Sequence, residues 1–177
     1  LERARRRRND VQFDVDVIGW EVFGDAAGLS RAVVNLLDNA AKWSPSGGHV
    51  GVRLHQLDAA HAEFVVSDQG PGIPPQERGL VFERFYRSAS ARAMPGSGLG
   101  LAIVKQVVVK HGGMIRIADT VPGGQPPGTS FFVLLPGRPV SSAGSYPDSA
   151  SGEITARIPR VNGARSITEP KPSAARS

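Results

Sequence analysis

The 177-residue sequence has no cysteine, only 6% aromatic residues and no long apolar run. The absence of cysteine excludes disulfide bonds and cysteine-ligated zinc. The longest apolar stretch, residues 99–109, is interrupted by a glycine, a lysine and a glutamine. It is far shorter than the roughly 20 residues that span a membrane. No apolar stretch follows the arginines at positions 5–8, so no signal peptide is indicated. We therefore expect a soluble piece of chain that buries its own core.

The charge is unevenly distributed along the chain. The formal net charge is +5, and residues 138–177 hold six Lys or Arg against three Asp or Glu. The four arginines at positions 5–8 add to this excess, whereas the region between is nearly balanced. A nucleic-acid interface needs a clustered basic face. Direct nucleic-acid binding is therefore not expected.

Composition divides the chain into three segments. Residues 1–9 are expected to be a linker from an upstream domain, and residues 10–136 a folded domain. Residues 137–177 are rich in Ser, Pro, Ala, Gly and Arg with few large apolar residues. Such a composition buries too little to offset its ordering entropy, so a disordered basic tail is expected.

Within the folded domain, hydrophobic periodicity predicts mixed secondary structure. Alternation predicts a strand at residues 11–17 and a hairpin at residues 50–54 and 62–66. Helical spacing predicts helices at residues 26–43 and 98–111, with a short helix or turn at 74–86. Two final strands are expected at residues 114–118 and 129–135, and a mobile segment at 87–97. The class is therefore α/β or α+β.

The first helix presents a polar stripe. Asn35, Asn39 and Lys42 stand at i, i+4 and i+7, opposite an apolar Leu and Val stripe. An ordinary solvated face would look similar, but two asparagines in mid-helix are unfavourable because asparagine competes for the backbone. An amide oxygen can ligate Mg²⁺, and a lysine one turn away can neutralise phosphate charge.

A second segment has Asp68 at the end of a strand, before Gly70 and Gly72. Asp is common in such turns. A carboxylate only accepts hydrogen bonds, so it favours the amino group of adenine over the carbonyl of guanine. The glycines would let the backbone approach a base closely.

Two familiar phosphate-binding patterns are missing. No P-loop sequence is present, and the turn from Gly96 to Leu101 lacks the preceding strand and the final Gly or Ala of a dinucleotide fingerprint. A glycine-rich turn at a helix N-terminus remains, which is a general phosphate site or a flexible loop. No carboxylate lies between Glu83 and Asp119. A cationic lid over a triphosphate explains this bias, and a solvated basic surface also could.

In their order and spacing, four segments resemble the ATP-binding domain of sensor histidine kinases. They are NLLDNAAK at 35–42, DQGPGI at 68–73, GSGLGL at 96–101 and GTSF at 128–131. The resemblance lies within the gyrase, Hsp90, histidine kinase and MutL ATPase superfamily. It implies the Bergerat fold, a two-layer sandwich of a mixed sheet covered on one face by about three helices.

The resemblance also implies a site for Mg²⁺-ATP, with Mn²⁺ as a possible substitute. The metal ligand is expected at Asn39, phosphate contacts at Asn35 and Lys42, and catalytic cations at Lys42, Arg84 and Arg87. The expected nucleotide contacts are Asn35, Asn39, Lys42, Trp43, Asp68, Gly70, Gly72, Ile73, Gly96, Gly98, Leu99, Gly100, Leu101 and Thr129. The four histidines are isolated, with no metal-like spacing, and are expected to be structural or exposed.

ATPases of this superfamily carry a glutamate base where Asn35 stands. An amide cannot take a proton, so transfer to a histidine of a separate dimerisation domain is implied, followed by transfer to a response regulator. The fragment is expected to be monomeric, and the full-length protein a membrane homodimer with this domain on the cytoplasmic side. Two alternatives remain open: a protein serine kinase of the anti-sigma-factor type, and a non-catalytic interaction module.

Overall fold

The structure is a computed structural model that describes residues 10–94, 96–140 and 155–158, the last group by its backbone alone. The predicted linker at residues 1–9 lies outside the described residues. The elements are β1 (Gln12–Val17), β2 (Trp20–Phe23), α1 (Ala26–Trp43), β3 (His49–Gln56), β4 (His61–Ser67), 3₁₀ helices at Pro75–Glu77 and Leu80–Phe82, α2 (Ala89–Arg92), α3 (Gly100–Lys110), β5 (Met114–Ala118), β6 (Ser130–Pro136), β7 (Arg138–Pro139) and β8 (Thr155–Ile158).

Five strands form one mixed sheet in the order β1-β3-β4-β6-β5. β1 runs parallel to β3, and every other pair is antiparallel. Because side chains alternate between the two faces of a strand, β3, β4 and β6 each send one set of residues into the core. These core residues are Val50, Val52, Leu54, Ala62, Phe64, Val66, Phe131, Val133 and Leu135.

Helices α1 and α3 pack against each other and cover this apolar face. Asp25 caps α1 by accepting a hydrogen bond from the Gly28 N–H at 2.9 Å, and the helix ends before Ser44 and Pro45. His111 fastens the start of α1 to the end of α3. Its Nε2 accepts from the Asp25 N–H at 2.9 Å, and its Nδ1 bonds the carbonyl of Val107 at 2.7 Å.

The predicted fold class is confirmed: a mixed sheet with helices on one face. The helices predicted at residues 26–43 and 98–111 are present as α1 and α3, whereas the four-residue α2 was not predicted and lies in the segment predicted to be mobile. Residues 74–86, predicted as a short helix or turn, contain the two 3₁₀ helices. None of the helices in the described part of the chain is long and apolar enough to cross a membrane.

Strand β2 was not predicted. It lies at the centre of a second, three-stranded sheet in the order β7-β2-β8, and it buries Trp20 and Val22. Four residues are too few for alternation to stand out, so the pattern gave no signal. Its partners also come from the segment expected to be disordered. For Arg138–Pro139 and Thr155–Ile158 the structure therefore differs from that expectation, while the three-segment division itself stays a prediction.

Candidate functional site

The polar stripe of α1 forms one wall of a large cleft. Asn35, Asn39 and Lys42 all line it, as their shared helix face predicts. Trp43 follows at the end of the helix, with the Lys42 Nζ 5.3 Å from the centre of its ring. The Nδ2 atom of Asn35 is buried and has no hydrogen-bond partner among the described residues. This wall therefore presents amide groups and a cation to whatever occupies the cleft.

The cleft has a volume of about 960 Å³. Its other walls are the loop after β4, the segment before α3 and the first turns of α3. Those lining residues are Pro71, Gly72, Ile73, Pro74, Glu77, Val81, Tyr86, Arg87, Ser88, Ala89, Ser90, Ala91, Met94, Gly96, Ser97, Gly98, Leu99, Gly100, Leu101, Ile103 and Thr129, with Asp38 and Ala41 added from α1. A space of this size accommodates a drug-sized or nucleotide-sized ligand.

Asp68 lies under one end of the cleft and is only 1% exposed. Its Oδ1 accepts hydrogen bonds from the N–H of Gly70 at 2.9 Å and of Thr129 at 3.1 Å. Its Oδ2 is buried without a hydrogen-bond partner in the described residues. Burial raises the pKa of Asp68 to about 6, although hydrogen bonds from the backbone N–H groups of Gly70 and Thr129 and from the Thr129 side chain offset part of the effect. A buried acceptor left without a donor is costly, so this oxygen marks a place for a ligand donor.

Close backbone packing fixes the loop beside Asp68. The Gly128 N–H donates to the Gly70 carbonyl at 3.0 Å. A Cβ on Gly72 would lie 2.6 Å from Cγ of Pro127, and one on Gly128 would collide with the carbonyl oxygen of Asp68. The glycines expected to allow close approach to a base therefore also allow two loops to pack together.

One part of the cleft is cationic, where Lys42 and Arg87 line it. Burial, with the charge of Arg87 as a second cause, lowers the pKa of Lys42 from its ordinary value. Two cations that face one space disfavour each other's charge. A bound anion would remove that penalty, so this end of the cleft is suited to phosphate.

Arg87 also organises the segment that covers this end. Its Nη2 donates to the backbone carbonyls of Ala91 and Met94, and Ser88 caps α2. Phe85 stands at the entrance of the segment with a φ of 65° and a 71% exposed side chain. The predicted mobility of residues 87–97, of which Pro95 lies outside the described part, stays a prediction.

The structure brings most of the predicted site residues together. Asp68 and Gly70 lie behind Thr129 and do not line the cleft itself. Arg84 is the exception among the predicted cations, because it is absent from the lining and its Nη2 faces Oε1 of Gln106 on the exposed surface at 3.5 Å. Its catalytic role stays a prediction.

Several other lining residues were not predicted from the sequence. Tyr86 and Glu77 meet across the cleft, and burial together with Glu77 raises the pKa of the Tyr86 phenol. Val81, Met94 and Ile103 add apolar surface. Their positions carry no sequence motif.

A sequence profile for the histidine kinase-, DNA gyrase B- and HSP90-like ATPases matches residues 24–139. The chain belongs to this family.

The chain is similar to the signal transduction histidine-protein kinase/phosphatase MprB of Mycobacterium avium. The two are 76% identical over 153 residues, which is 86% of this chain and 29% of that protein. This chain thus spans less than a third of the length of that curated relative. The resemblance to sensor histidine kinases, predicted from the sequence, is confirmed.

Two solved structures are also similar. The mycobacterial sensor histidine kinase MprB has 66% identity and a TM-score of 0.75, covering 78% of this chain and 90% of that one. Full-length ShkA in complex with AMPPNP has 26% identity and a TM-score of 0.66, covering 80% of this chain and 29% of that one. The predicted class, the ATP-binding catalytic domain of a sensor histidine kinase, is confirmed. Neither alternative, the serine kinase or the interaction module, receives support.

Proposed function

We propose that this chain binds Mg²⁺-ATP in the cleft and transfers the γ-phosphoryl group to a histidine of a dimerisation domain elsewhere in the same protein. The single observation that carries the proposal is the polarity of the cleft. A buried carboxylate with an unpartnered oxygen, Asp68, lies beside the cleft behind Thr129, and Lys42 and Arg87 line the cleft itself. ATP matches this arrangement, because its adenine carries an amine for the carboxylate and its triphosphate carries negative charge for the two cations.

At the base end, the ionised Asp68 accepts a hydrogen bond from the exocyclic amine of adenine. Guanine carries a carbonyl oxygen at the corresponding position, which a carboxylate repels. The bond also gives Oδ2 the donor that it lacks. The similarity to ShkA, whose structure contains the ATP analogue AMPPNP, supports an adenine nucleotide in this cleft.

At the phosphate end, the amides of α1 fit a magnesium ion held jointly with phosphates. Mg²⁺ takes oxygen ligands and usually keeps several waters beside a nucleotide. The Asn39 amide oxygen would supply the protein ligand, and Mn²⁺ could take the same place. When bound, the ion neutralises charge on the phosphate oxygens. The buried Nδ2 of Asn35 is a donor without a partner among the described residues and suits a phosphate oxygen.

The chemistry is positioning and electrostatics. The bond between the γ-phosphorus and the bridging oxygen breaks, a phosphorus–nitrogen bond forms with an imidazole, and ADP leaves. Lys42 and Arg87 stabilise the transferring group, and Arg84 joins them if the covering segment closes. Asn35 cannot accept a proton, so it does not activate water, and hydrolysis of ATP is slow.

The wider role follows the names of the relatives. The phosphohistidine passes its phosphoryl group to an aspartate of a response regulator. The full-length protein is a membrane homodimer with this domain on the cytoplasmic side. The similarity to MprB sensor kinases supports both statements.

Transfer in trans tests the proposal. The chain is incubated with γ-labelled ATP and Mg²⁺, with and without the separately produced dimerisation domain of a matching relative. We expect acid-labile label on the added domain and none on this chain. Tethering normally supplies effective concentrations in the millimolar range, so transfer in trans should be slow but measurable. Label on this chain alone contradicts the proposal.

A variant of Asn39 tests its assignment as the metal ligand. In Asn39→Ala, transfer at limiting Mg²⁺ should disappear while far-ultraviolet circular dichroism stays unchanged. Asn39 is on the cleft wall and outside the core, so its loss leaves the packing intact. Normal transfer kinetics in this variant would remove the metal role from Asn39.

A further inference from the structure

One charged contact beside the cleft belongs to none of the motifs. Arg78 follows the first 3₁₀ helix and does not line the cleft. Its Nε donates to the backbone carbonyl of Ile73 at 3.0 Å, and its Nη2 donates to Oδ1 of Asp119. The side chains of Arg78 and Asp119 are 24% and 32% exposed. One guanidinium thus holds two separate segments at once.

The two segments differ in how firmly they are held. Asp119 comes directly after β5, whose last residue Ala118 pairs with Ser130 in the central sheet. Thr120, the next residue, hydrogen-bonds the Ser130 hydroxyl at 3.0 Å. Asp119 is therefore fixed to the sheet. Ile73 belongs to the loop that follows Asp68, and it lines the cleft.

From this geometry we propose that Arg78 is a positioning residue for the base end of the cleft. It fastens the Ile73 wall to the sheet through Asp119 and so sets the width of the slot beside Asp68. The inference rests on the proposed binding of ATP. The packing of Gly72 against Pro127 restrains the loop on its other side. The bond from Arg78 restrains it at Ile73.

The fork of the guanidinium is needed for this role. Arginine offers several donors in one rigid plane, and its Nε and Nη2 reach Ile73 and Asp119 in different directions. Lysine carries the same charge on a single nitrogen and cannot reproduce both bonds. A partly exposed ion pair alone adds little to stability, so unfolding measurements cannot reveal the role, whereas nucleotide binding can.

The test compares Arg78→Lys and Asp119→Asn with the parent chain. ATP and adenosine are titrated by calorimetry, and transfer to the added dimerisation domain is measured over a range of ATP concentrations. We expect about tenfold weaker binding of both ligands, which corresponds to about 1.4 kcal/mol. KM for ATP should rise similarly, and kcat at saturating ATP should stay within about twofold.

A matched control is Arg116→Ala, which breaks the ion pair between Arg116 and Glu63 on the exposed side of the sheet. It should leave ATP binding unchanged. If the Arg78→Lys chain binds ATP and adenosine as the parent does, or if only kcat falls, the positioning role is wrong. If the parent itself binds no ATP, the proposed function fails instead, so the two failures are distinguishable.

Discussion

The two ends of the cleft are built in opposite ways. At the base end, Asp68 is buried, Gly70 and Thr129 hold its Oδ1, and two loops pack at backbone distance. At the phosphate end, residues 86–94 and 96–98 are mostly small and are half-buried or exposed, and Arg87 supplies side-chain bonds to two carbonyls. A rigid end can discriminate one base from another. An end with few contacts can open, admit a nucleotide and present its terminal phosphate to a partner.

The largest expected effect comes from breaking the rigid end. Gly128 has a φ of 67°, and a Cβ there would collide with the Asp68 carbonyl and lie 2.9 Å from Cβ of Thr120. Gly128→Ala should cost more than about 3 kcal/mol in unfolding free energy, measured by urea denaturation.

Gly123→Ala is its control, because Gly123 has a φ of 75° but no atom within 4 Å of a built Cβ. Backbone strain alone should cost it about 1–2 kcal/mol. Equal losses in the two variants would show that close packing at Gly128 does not matter.

A pH titration measures the burial of Asp68. Its folded pKa of about 6 lies above the ordinary value of 3.8, so the folded state binds more protons between these values. The contribution of Asp68 to stability is present below pH 3.8 and is lost as pH rises through 6, by at most about 3 kcal/mol. The difference in unfolding free energy between the parent and Asp68→Asn should therefore change across this window. A difference that is independent of pH contradicts the burial of the ionised group.

Nucleotide binding by variants of Asp68 tests how the base end of the cleft selects its base. In Asp68→Asn the side chain keeps its shape but can present a donor where the carboxylate accepts. ATP binding should weaken by about 1.5–3 kcal/mol, and the preference for ATP over GTP should vanish, as calorimetry would show. Asp68→Ala should lose the preference too. For the parent chain, ATP affinity should fall as pH drops below 6, because a protonated carboxyl no longer accepts with both oxygens. An unchanged ATP/GTP ratio in either variant would remove the base role from Asp68.

The smallest effect in free energy is expected at the phosphate end. Without nucleotide, backbone amides of residues 86–94 should exchange faster than those of β6, and Mg²⁺-ATP should slow them by about tenfold or more. Arg87→Gln should speed exchange around α2 even without nucleotide, because it removes the bonds to Ala91 and Met94. Arg92→Gln, a change in the same segment outside the cleft lining, should not. Equal protection with and without ATP would show that this segment is not a lid.

Local sequence patterns were sufficient to predict site residues where hydrophobic periodicity and the observed burial agree. The spacing of Asn35, Asn39 and Lys42 placed all three on the cleft wall, because an α-helix fixes which residues share a face. The strand ending at Asp68 and the glycine turn before α3 followed from alternation and chain breakers. Each of these predictions depends on residues within a few positions of one another.

Long-range contacts could not be predicted this way. Strand β2 exists because residues more than a hundred positions away pair with it. His111, expected to be structural or exposed, is buried and hydrogen-bonds the Asp25 N–H. Arg84 and Arg87 look alike in sequence, yet the structure turns one toward Gln106 and the other toward the cleft.

By itself, therefore, the sequence determined the family, the class of fold and the chemical types at both ends of the cleft. Only the tertiary structure decided how those groups are held. The Thr129 N–H donates to Asp68, and Arg78 bonds both the Ile73 carbonyl and Asp119. Arg87 donates to the backbone carbonyl of Ala91. The physical reason is that residue type and periodicity specify which face is apolar and which atoms can donate or accept. The direction of each hydrogen bond depends on elements that only folding brings together.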